Sequence, residues 1–95
     1  MKNYEIMYII KSSLEEESRN TIIENLHEII LSNKGVINDI NQWGLKEFAY
    51  PIDKETKGFY VVVNFSCDPT TLAEFDRLLG INANVVRYMI TKKED

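Results

Sequence analysis

FYVVVNFSC at residues 59–67 is the clearest strand in the chain, because aromatic and β-branched residues dominate it. Alternation places its side chains in two rows on opposite faces. One row consists of Phe59, Val61, Val63, Phe65 and Cys67, and the other of Tyr60, Val62, Asn64 and Ser66. This strand and residues 4–10 are the two most apolar strands of the sequence, so both suit the centre of a sheet.

The residues between these two strands predict a helix and a further strand. Residues 13–16, SLEE, form a capping box, and the carboxylates of Glu15, Glu16 and Glu17 suit a first helical turn. The apolar stripe of this helix consists of Ile22, Leu26, Ile29 and Ile30, with Ile23 at its flank. Gly35 suits a left-handed C-terminal cap. Residues 36–43 then resume an extended pattern, whose imperfect alternation indicates a β-bulge.

A second helix and a last strand follow residue 67. Asp68 and Pro69 are a good N-cap and first-turn proline, and Gly80 is predicted to end the helix. Its apolar stripe consists of Leu72, Phe75 and Leu79. Residues 85–91 form the last predicted strand, with Val86, Tyr88 and Ile90 facing inward. A short charged tail is predicted at residues 92–95.

The order strand, helix, strand, strand, helix, strand predicts an α+β fold, the ferredoxin-like sandwich (βαββαβ). It consists of a four-stranded antiparallel sheet with two helices on one face, and we expect one domain over residues 1–95. The other sheet face then has no helix on it. Alternation places on that face Met7, Ile9, Tyr60, Val62, Arg87 and Met89. So apolar a surface predicts a docking site.

Composition excludes several classes of protein. The 95 residues are 44% hydrophobic and carry a net charge of −4, which is atypical of a disordered chain. No apolar run approaches the ~18 residues that span a bilayer. No signal-peptide pattern is present, so the expected localisation is cytoplasmic. Because nucleic-acid binders usually present basic surfaces, the charge alone favours a protein partner, although the acids concentrate in the first helix.

The sequence contains no catalytic or metal-binding constellation. His27 is the only histidine and Cys67 the only cysteine. We expect His27 to be a half-exposed structural residue and Cys67 a buried small hydrophobe. The glycines are dispersed rather than gathered into a phosphate loop. We therefore predict that the protein is not an enzyme and takes no metal, cofactor or small-molecule substrate.

Residues 44–60, predicted as a connection between two strands, carry the densest chemistry. Cations cluster there with aromatic rings, namely Lys46, Lys54 and Lys57 with Phe48, Tyr50 and Tyr60, and Trp43 immediately precedes the segment. Cations hold phosphate while rings stack on bases, which favours RNA. Trp43 equally suits a partner side chain or plain packing at a strand end. The residues alone leave these possibilities open.

GLKEFAYPI at residues 44–52, KNYE at residues 2–5 and NVVRYM at residues 84–89 together resemble the bacterial small-subunit ribosomal protein S6 family. The first motif is similar to the family's Gly-x-basic-polar-Leu-Ala-Tyr-x-Ile signature, through Gly44, Lys46, Phe48, Ala49, Tyr50 and Ile52. Phe48 stands in place of the usual leucine. Glu47 and Asp53 make the segment less basic than is usual in the family.

The resemblance implies a structural protein of the ribosome that binds the central domain of small-subunit ribosomal RNA (rRNA) together with ribosomal protein S18, a small basic partner. The candidates for RNA contact that follow from the resemblance are Lys2, Lys46, Lys54, Lys57, Arg87 and Lys92. The candidates for stacking or partner contact are Trp43, Tyr60 and Met89.

Two other classes of protein compete with this interpretation. A ferredoxin-like protein-interaction or small-ligand regulatory domain is the main alternative, favoured by the net charge and by the apolar face without helices. An enzyme that hydrolyses acyl phosphates on the same fold lacks an evident phosphate loop.

Overall fold

The computed structural model describes residues 1–52 and 55–93. The elements in chain order are β1 (Lys2–Lys11), α1 (Glu16–Ser32), β2 (Val36–Ile52), β3 (Glu55–Cys67), α2 (Pro69–Ile81) and β4 (Val85–Lys92). The strands form one four-stranded sheet in the order β2-β3-β1-β4, and each neighbouring pair is antiparallel. The predicted ferredoxin-like fold is confirmed, with the two most apolar strands, β1 and β3, in the centre.

The core lies between the sheet and the two helices. Tyr4, Ile6, Tyr8 and Ile10 of β1 share it with the inward row of β3, which ends at the buried Cys67. Phe65 contacts both layers, since its ring meets the Phe75 ring of α2 edge-on at 5.6 Å and lies 5.7 Å from the Tyr4 ring. One continuous apolar layer therefore ties both helices to the central strands.

The ends of the helices differ from the prediction. Ser13 lies in the turn that leaves β1, and α1 begins at Glu16 with Glu15 as its N-cap, so the capping-box prediction was wrong. Lys34, rather than Gly35, has the left-handed backbone conformation, with φ 66°. Gly35 is required for space, because a Cβ there would lie 2.6 Å from Ile30 Cγ2. Helix α2 runs one residue beyond Gly80.

His27 is buried, which corrects the prediction of a half-exposed side chain. The buried stripe of α1 is Ile23, Leu26, His27 and Ile30, so it is rotated by about one residue from the predicted stripe. The Tyr8 hydroxyl and Nε2 of His27 are hydrogen-bonded at 3.1 Å. Burial lowers the pKa of the His27 imidazole, because the charged form loses its hydration.

We expect the free energy of unfolding to decrease as the pH falls below about 6.5, the ordinary histidine pKa. In this range the unfolded chain binds a proton at its single histidine, whereas folded His27 binds one only at lower pH. Because the unfolded state then holds more protons, protonation favours unfolding. Urea unfolding of the wild type and of His27→Gln, followed by circular dichroism, measures this effect. The wild type should lose stability relative to His27→Gln as the pH falls, and parallel pH profiles would contradict the prediction.

Strand β2 continues through Ile52 instead of ending at Trp43, so residues 44–52 are an arm of a long hairpin rather than a connection. Gly44 pairs with Tyr60, Lys46 with Gly58 and Glu47 with Lys57. As an edge strand, β2 is exposed at most of these positions, so burial imposes no apolar alternation that would reveal it.

Irregularities in the edge strands change which side chains face the core. The predicted bulge in β2 is present, and the β2–β3 register shifts at three places, between Ile37 and Asp39, between Gln42 and Gly44 and between Glu47 and Ile52. The β1–β4 register also shifts, and Val85 rather than the predicted Val86 packs against the core. Lys92 is the last residue of β4 rather than part of a tail, and Glu94 and Asp95 lie outside the described residues.

Candidate nucleic-acid and partner interface

The open face is the face of the sheet that carries neither helix, and the strand register orders its side chains in rows. The Tyr60 row consists of Gly44, Tyr60, Ile9 and Arg87. The Met7 row consists of Asn41, Val62, Met7 and Met89. The Glu5 row consists of Asp39, Asn64, Glu5 and Thr91. The residues predicted for this face all lie in the first two rows.

An aromatic patch, consisting of Trp43, Phe48 and Tyr60, lies at one end of the open face. The Trp43 and Tyr60 rings are nearly parallel, at 10°, with centroids 6.3 Å apart. The Phe48 ring is tilted against Tyr60 at 6.2 Å. Nζ of Lys46 lies over the Trp43 ring, 4.9 Å from its centroid. Three predicted site residues, Trp43, Tyr60 and Lys46, therefore meet in one place.

Two glycines explain how the chain builds this patch. Gly44 has φ 86°, a conformation that favours glycine. It directly follows Trp43, which is the extra residue of the bulged strand at the register shift between Gln42 and Gly44. The bulge brings the Trp43 ring to Tyr60. Gly58 lies beneath the patch, where a Cβ would be 2.2 Å from Ile9 Cγ2 and 2.8 Å from Phe48 Cζ. Phe48 therefore packs directly on backbone, which helps to bury Ile9 on the open face.

The candidate cations divide between the two ends of the sheet. Arg87 lies in the Tyr60 row, and Lys46 pairs with Gly58 just beyond it. Lys57 pairs with Glu47 and alternates to the opposite face of the hairpin. Lys2 and Lys92 lie at the other end of β1, roughly 20 Å from the Tyr60 row. Lys54 lies outside the described residues.

Sequence reasoning missed two cations that contact or flank the sheet, one on each of its faces. Lys11, opposite Gly58, adds a cation beside Lys46. The alternation of β1 could have revealed it, had that strand been extended by one residue. Arg19 of α1 stacks its guanidinium on the Phe59 ring at 4.0 Å, on the helix side of the sheet. No short motif in the sequence signals that contact.

The far end of the open face is polar and partly acidic. Glu5 and Asp39 flank Asn64 across the strands, and Nζ of Lys93 lies 3.6 Å from a Glu5 carboxylate oxygen. Between this end and the aromatic patch lies an apolar band, defined as Met7, Val62 and Met89, in which the Met89 side chain is 62% exposed. The open face thus changes from cationic and aromatic through apolar to polar and partly acidic.

The remaining signature residues have less to offer a ligand. Ala49 and Tyr50 are exposed on β2, and the backbone of Ile52 pairs with Glu55 near the hairpin turn. A groove of about 420 Å³ lies elsewhere, between α2 and β4. Its lining consists of Pro69, Leu72, Ala73, Asp76, Tyr88 and Ile90.

Within residues 1–52 and 55–93, no three His, Cys, Asp or Glu side chains are grouped to hold a metal ion. No helix in the same part of the chain is long and apolar enough to cross a membrane.

Known proteins match this chain over nearly its whole length. A family model described as ribosomal protein S6 matches residues 3–92. The small ribosomal subunit protein bS6 of Clostridioides difficile is 44% identical over 90 residues, which cover 95% of this chain and 97% of the relative. The bS6 protein of Halalkalibacterium halodurans is 41% identical over 95 residues and covers 100% of both chains.

Solved structures give the same result. The crystal structure of 30S ribosomal protein S6 from Thermotoga maritima matches with a TM-score of 0.91 at 31% identity, over 97% of this chain and 87% of that chain. The C-terminal domain of MgtC from Mycobacterium tuberculosis, at 11% identity and a TM-score of 0.67, shares the fold alone. The fold, the hairpin signature and these relatives agree, and the chain belongs to the ribosomal protein S6 family of the small ribosomal subunit.

Proposed function

We propose that the protein is a non-catalytic structural component of the small ribosomal subunit that binds the central domain of small-subunit rRNA together with ribosomal protein S18. The observation that carries this proposal is the association of the aromatic patch with Lys46, and with Arg87 in the Tyr60 row, on a sheet face that no helix covers. Cations that contact phosphate beside rings that stack on bases are typical of RNA-binding surfaces.

The separation of charges on the surface supports RNA binding despite the net charge of −4. Exposed carboxylates of α1, namely Glu16, Glu17, Glu24 and Glu28, belong to the helix layer on the other side of the sheet. The end of the open face around Tyr60 instead carries Arg87, Lys46 and Lys11. RNA therefore meets a local potential that is more positive than the total charge suggests.

A basic partner protein fits the remainder of the open face. The apolar band offers Met7, Val62 and Met89, and methionine surfaces adapt readily to a partner. Glu5 and Asp39 beyond it complement cations on that partner. The partner also brings positive charge, which offsets the modest number of cations that this chain presents to phosphate.

Gel-shift titration of a central-domain rRNA fragment tests the proposal, with and without S18. We expect weak binding of the protein alone and tighter binding of the pair. Absence of binding under both conditions at moderate salt would contradict the proposal. A stable homodimer in sedimentation, with no affinity for RNA, would instead support the alternative of a protein-interaction or regulatory domain.

Lys46→Ala should weaken rRNA binding roughly five-fold, since one exposed ion pair with a phosphate contributes up to about 1 kcal/mol. The slope of log K against the logarithm of the salt concentration should become shallower by about one, because about one counterion fewer is released. Titrations at several salt concentrations measure both quantities. Arg77→Ala is the matched control, because Arg77 is an exposed cation on α2 that pairs with Glu74. Equal effects of the two substitutions would remove Lys46 from the contact surface.

A further inference from the structure

We infer that the aromatic patch binds an unpaired nucleotide, whose base stacks on Trp43. This inference rests on the proposed RNA-binding function and narrows it to the form of RNA that this site recognises. It assigns a specific task to a tryptophan that would otherwise be a solvent-facing residue of an edge strand.

The ring geometry leaves stacking surface available. At 10° and 6.3 Å the Trp43 and Tyr60 rings are in the range of an offset stack, in which neither ring covers the whole face of the other. The Trp43 side chain is 47% exposed, although it is the largest aromatic residue of the chain. The tilted Phe48 ring beside Tyr60 and the Gly58 backbone beneath Phe48 support the patch from below.

The position of Lys46 favours exchange with a base. An exposed ammonium over an aromatic ring is bound more weakly than a base that stacks on that ring. A base can therefore displace the Nζ of Lys46 from Trp43 at little net cost. The displaced ammonium, on a flexible stem, is then free to contact the phosphate of the stacked nucleotide.

The charges around the patch favour RNA over a protein segment. Arg87, Lys46 and Lys11 lie in the Tyr60 row or the next position outward. Among the described residues, the pairing register places the first carboxylates of the open face, Glu5 and Asp39, two rows away at roughly 13 Å. A polyanion thus meets attraction at the patch and repulsion only at the far end of the open face.

An unpaired nucleotide is required because the interior bases of a duplex already stack on each other and offer no free π-face. Trp43 lies on an edge strand of a sheet face, where a splayed base can approach it without entering a groove. A duplex can contact the cations at this end of the open face, but its interior bases cannot stack on the ring. The two forms of RNA are therefore distinguished by stacking rather than by charge.

Trp43 is the only tryptophan in the chain, so its fluorescence reports directly on this site. The probe is a short pyrimidine oligoribonucleotide, titrated as a single strand and as a duplex with its complement. We expect the single strand to quench Trp43 emission and the duplex to leave it nearly unchanged. Equal quenching by the two forms would overturn the inference.

Variants separate stacking from general attraction. Trp43→Leu and Tyr60→Leu should each lower the affinity for the labelled single strand roughly ten-fold in fluorescence anisotropy, and Trp43→Phe should restore part of it. Tyr50→Leu is the matched control, because Tyr50 is an exposed aromatic residue of the same strand at 65% exposure. Equal loss of affinity in Trp43→Leu and Tyr50→Leu would contradict a specific platform.

The same variants distinguish failure of this inference from failure of the proposed function. If Trp43→Leu leaves the affinity for the rRNA fragment unchanged while Lys46→Ala weakens it, RNA binding stands and stacking on Trp43 is wrong. If the single strand does not quench Trp43 but S18 shields it from iodide, the patch is a protein-docking surface and the inference is overturned.

Discussion

Phe65→Ala is expected to lower the free energy of unfolding by about 3–5 kcal/mol, the largest loss that we expect from any single substitution discussed here. Phe65 is fully buried on a central strand. Its ring contacts Phe75 of α2 and Tyr4 of β1, so truncation leaves a cavity between two layers that cannot both collapse into it. Urea unfolding monitored by circular dichroism measures the change.

Met89→Ala is the control for this substitution. It removes a large side chain from the open face, where the side chain is already 62% exposed, and should change stability by no more than about 0.5 kcal/mol. If the two variants lose similar stability, the core does not lie on the helix side of the sheet as described.

Gly58→Ala should cost about 1–3 kcal/mol of stability, although it adds only one methyl group. The new Cβ would lie 2.2 Å from Ile9 Cγ2 and 2.8 Å from Phe48 Cζ. Ile9 does not move easily because it is buried and β-branched, and Phe48 can move only by giving up its contact with Tyr60. We therefore expect Phe48 to be displaced, and the emission of Trp43 to change along with the unfolding midpoint.

Gly80→Ala provides the same chemical change with the opposite expected sign. Gly80 lies in α2, and the nearest neighbour of an added Cβ outside the helix backbone would be the Tyr88 hydroxyl at an ordinary 3.5 Å. Alanine is the better helix former, so this variant should gain about 0.5–1 kcal/mol. A stability gain in both variants would show that Gly58 is not required for close packing.

Regular alternation made much of the fold predictable. The rows of β1 and β3 follow a period of two without interruption, so Tyr8, Val61 and Phe65 were assigned to the correct face from the sequence. The open-face positions of Tyr60 and Met89 followed from the same alternation. Element order then left few possible topologies.

The arrangement of the candidate site was less predictable, because it depends on departures from regularity. Trp43 reaches Tyr60 through a bulge at Gly44, and alternation carries no information about which face an extra residue takes. His27 is buried because the helix presents Ile23 rather than Ile22 to the sheet, a rotation that the apolar residues on both sides of the stripe conceal. Charge patterns likewise could not show that Lys2 and Lys46 lie at opposite ends of the sheet.

Placement of both helices on one side of the sheet has a consequence for how this sequence can vary. Side chains on the two faces share few contacts. The effect of a substitution on the core face on stability should therefore be nearly independent of the effect of a substitution on the open face on binding. The open face is then free to accept substitutions that change its affinity for RNA or protein, without a matching loss of the folded state. Ile9 and Gly58 are the exceptions, since their tight packing beneath the aromatic patch couples the evolution of the ligand surface to the stability of the central strands.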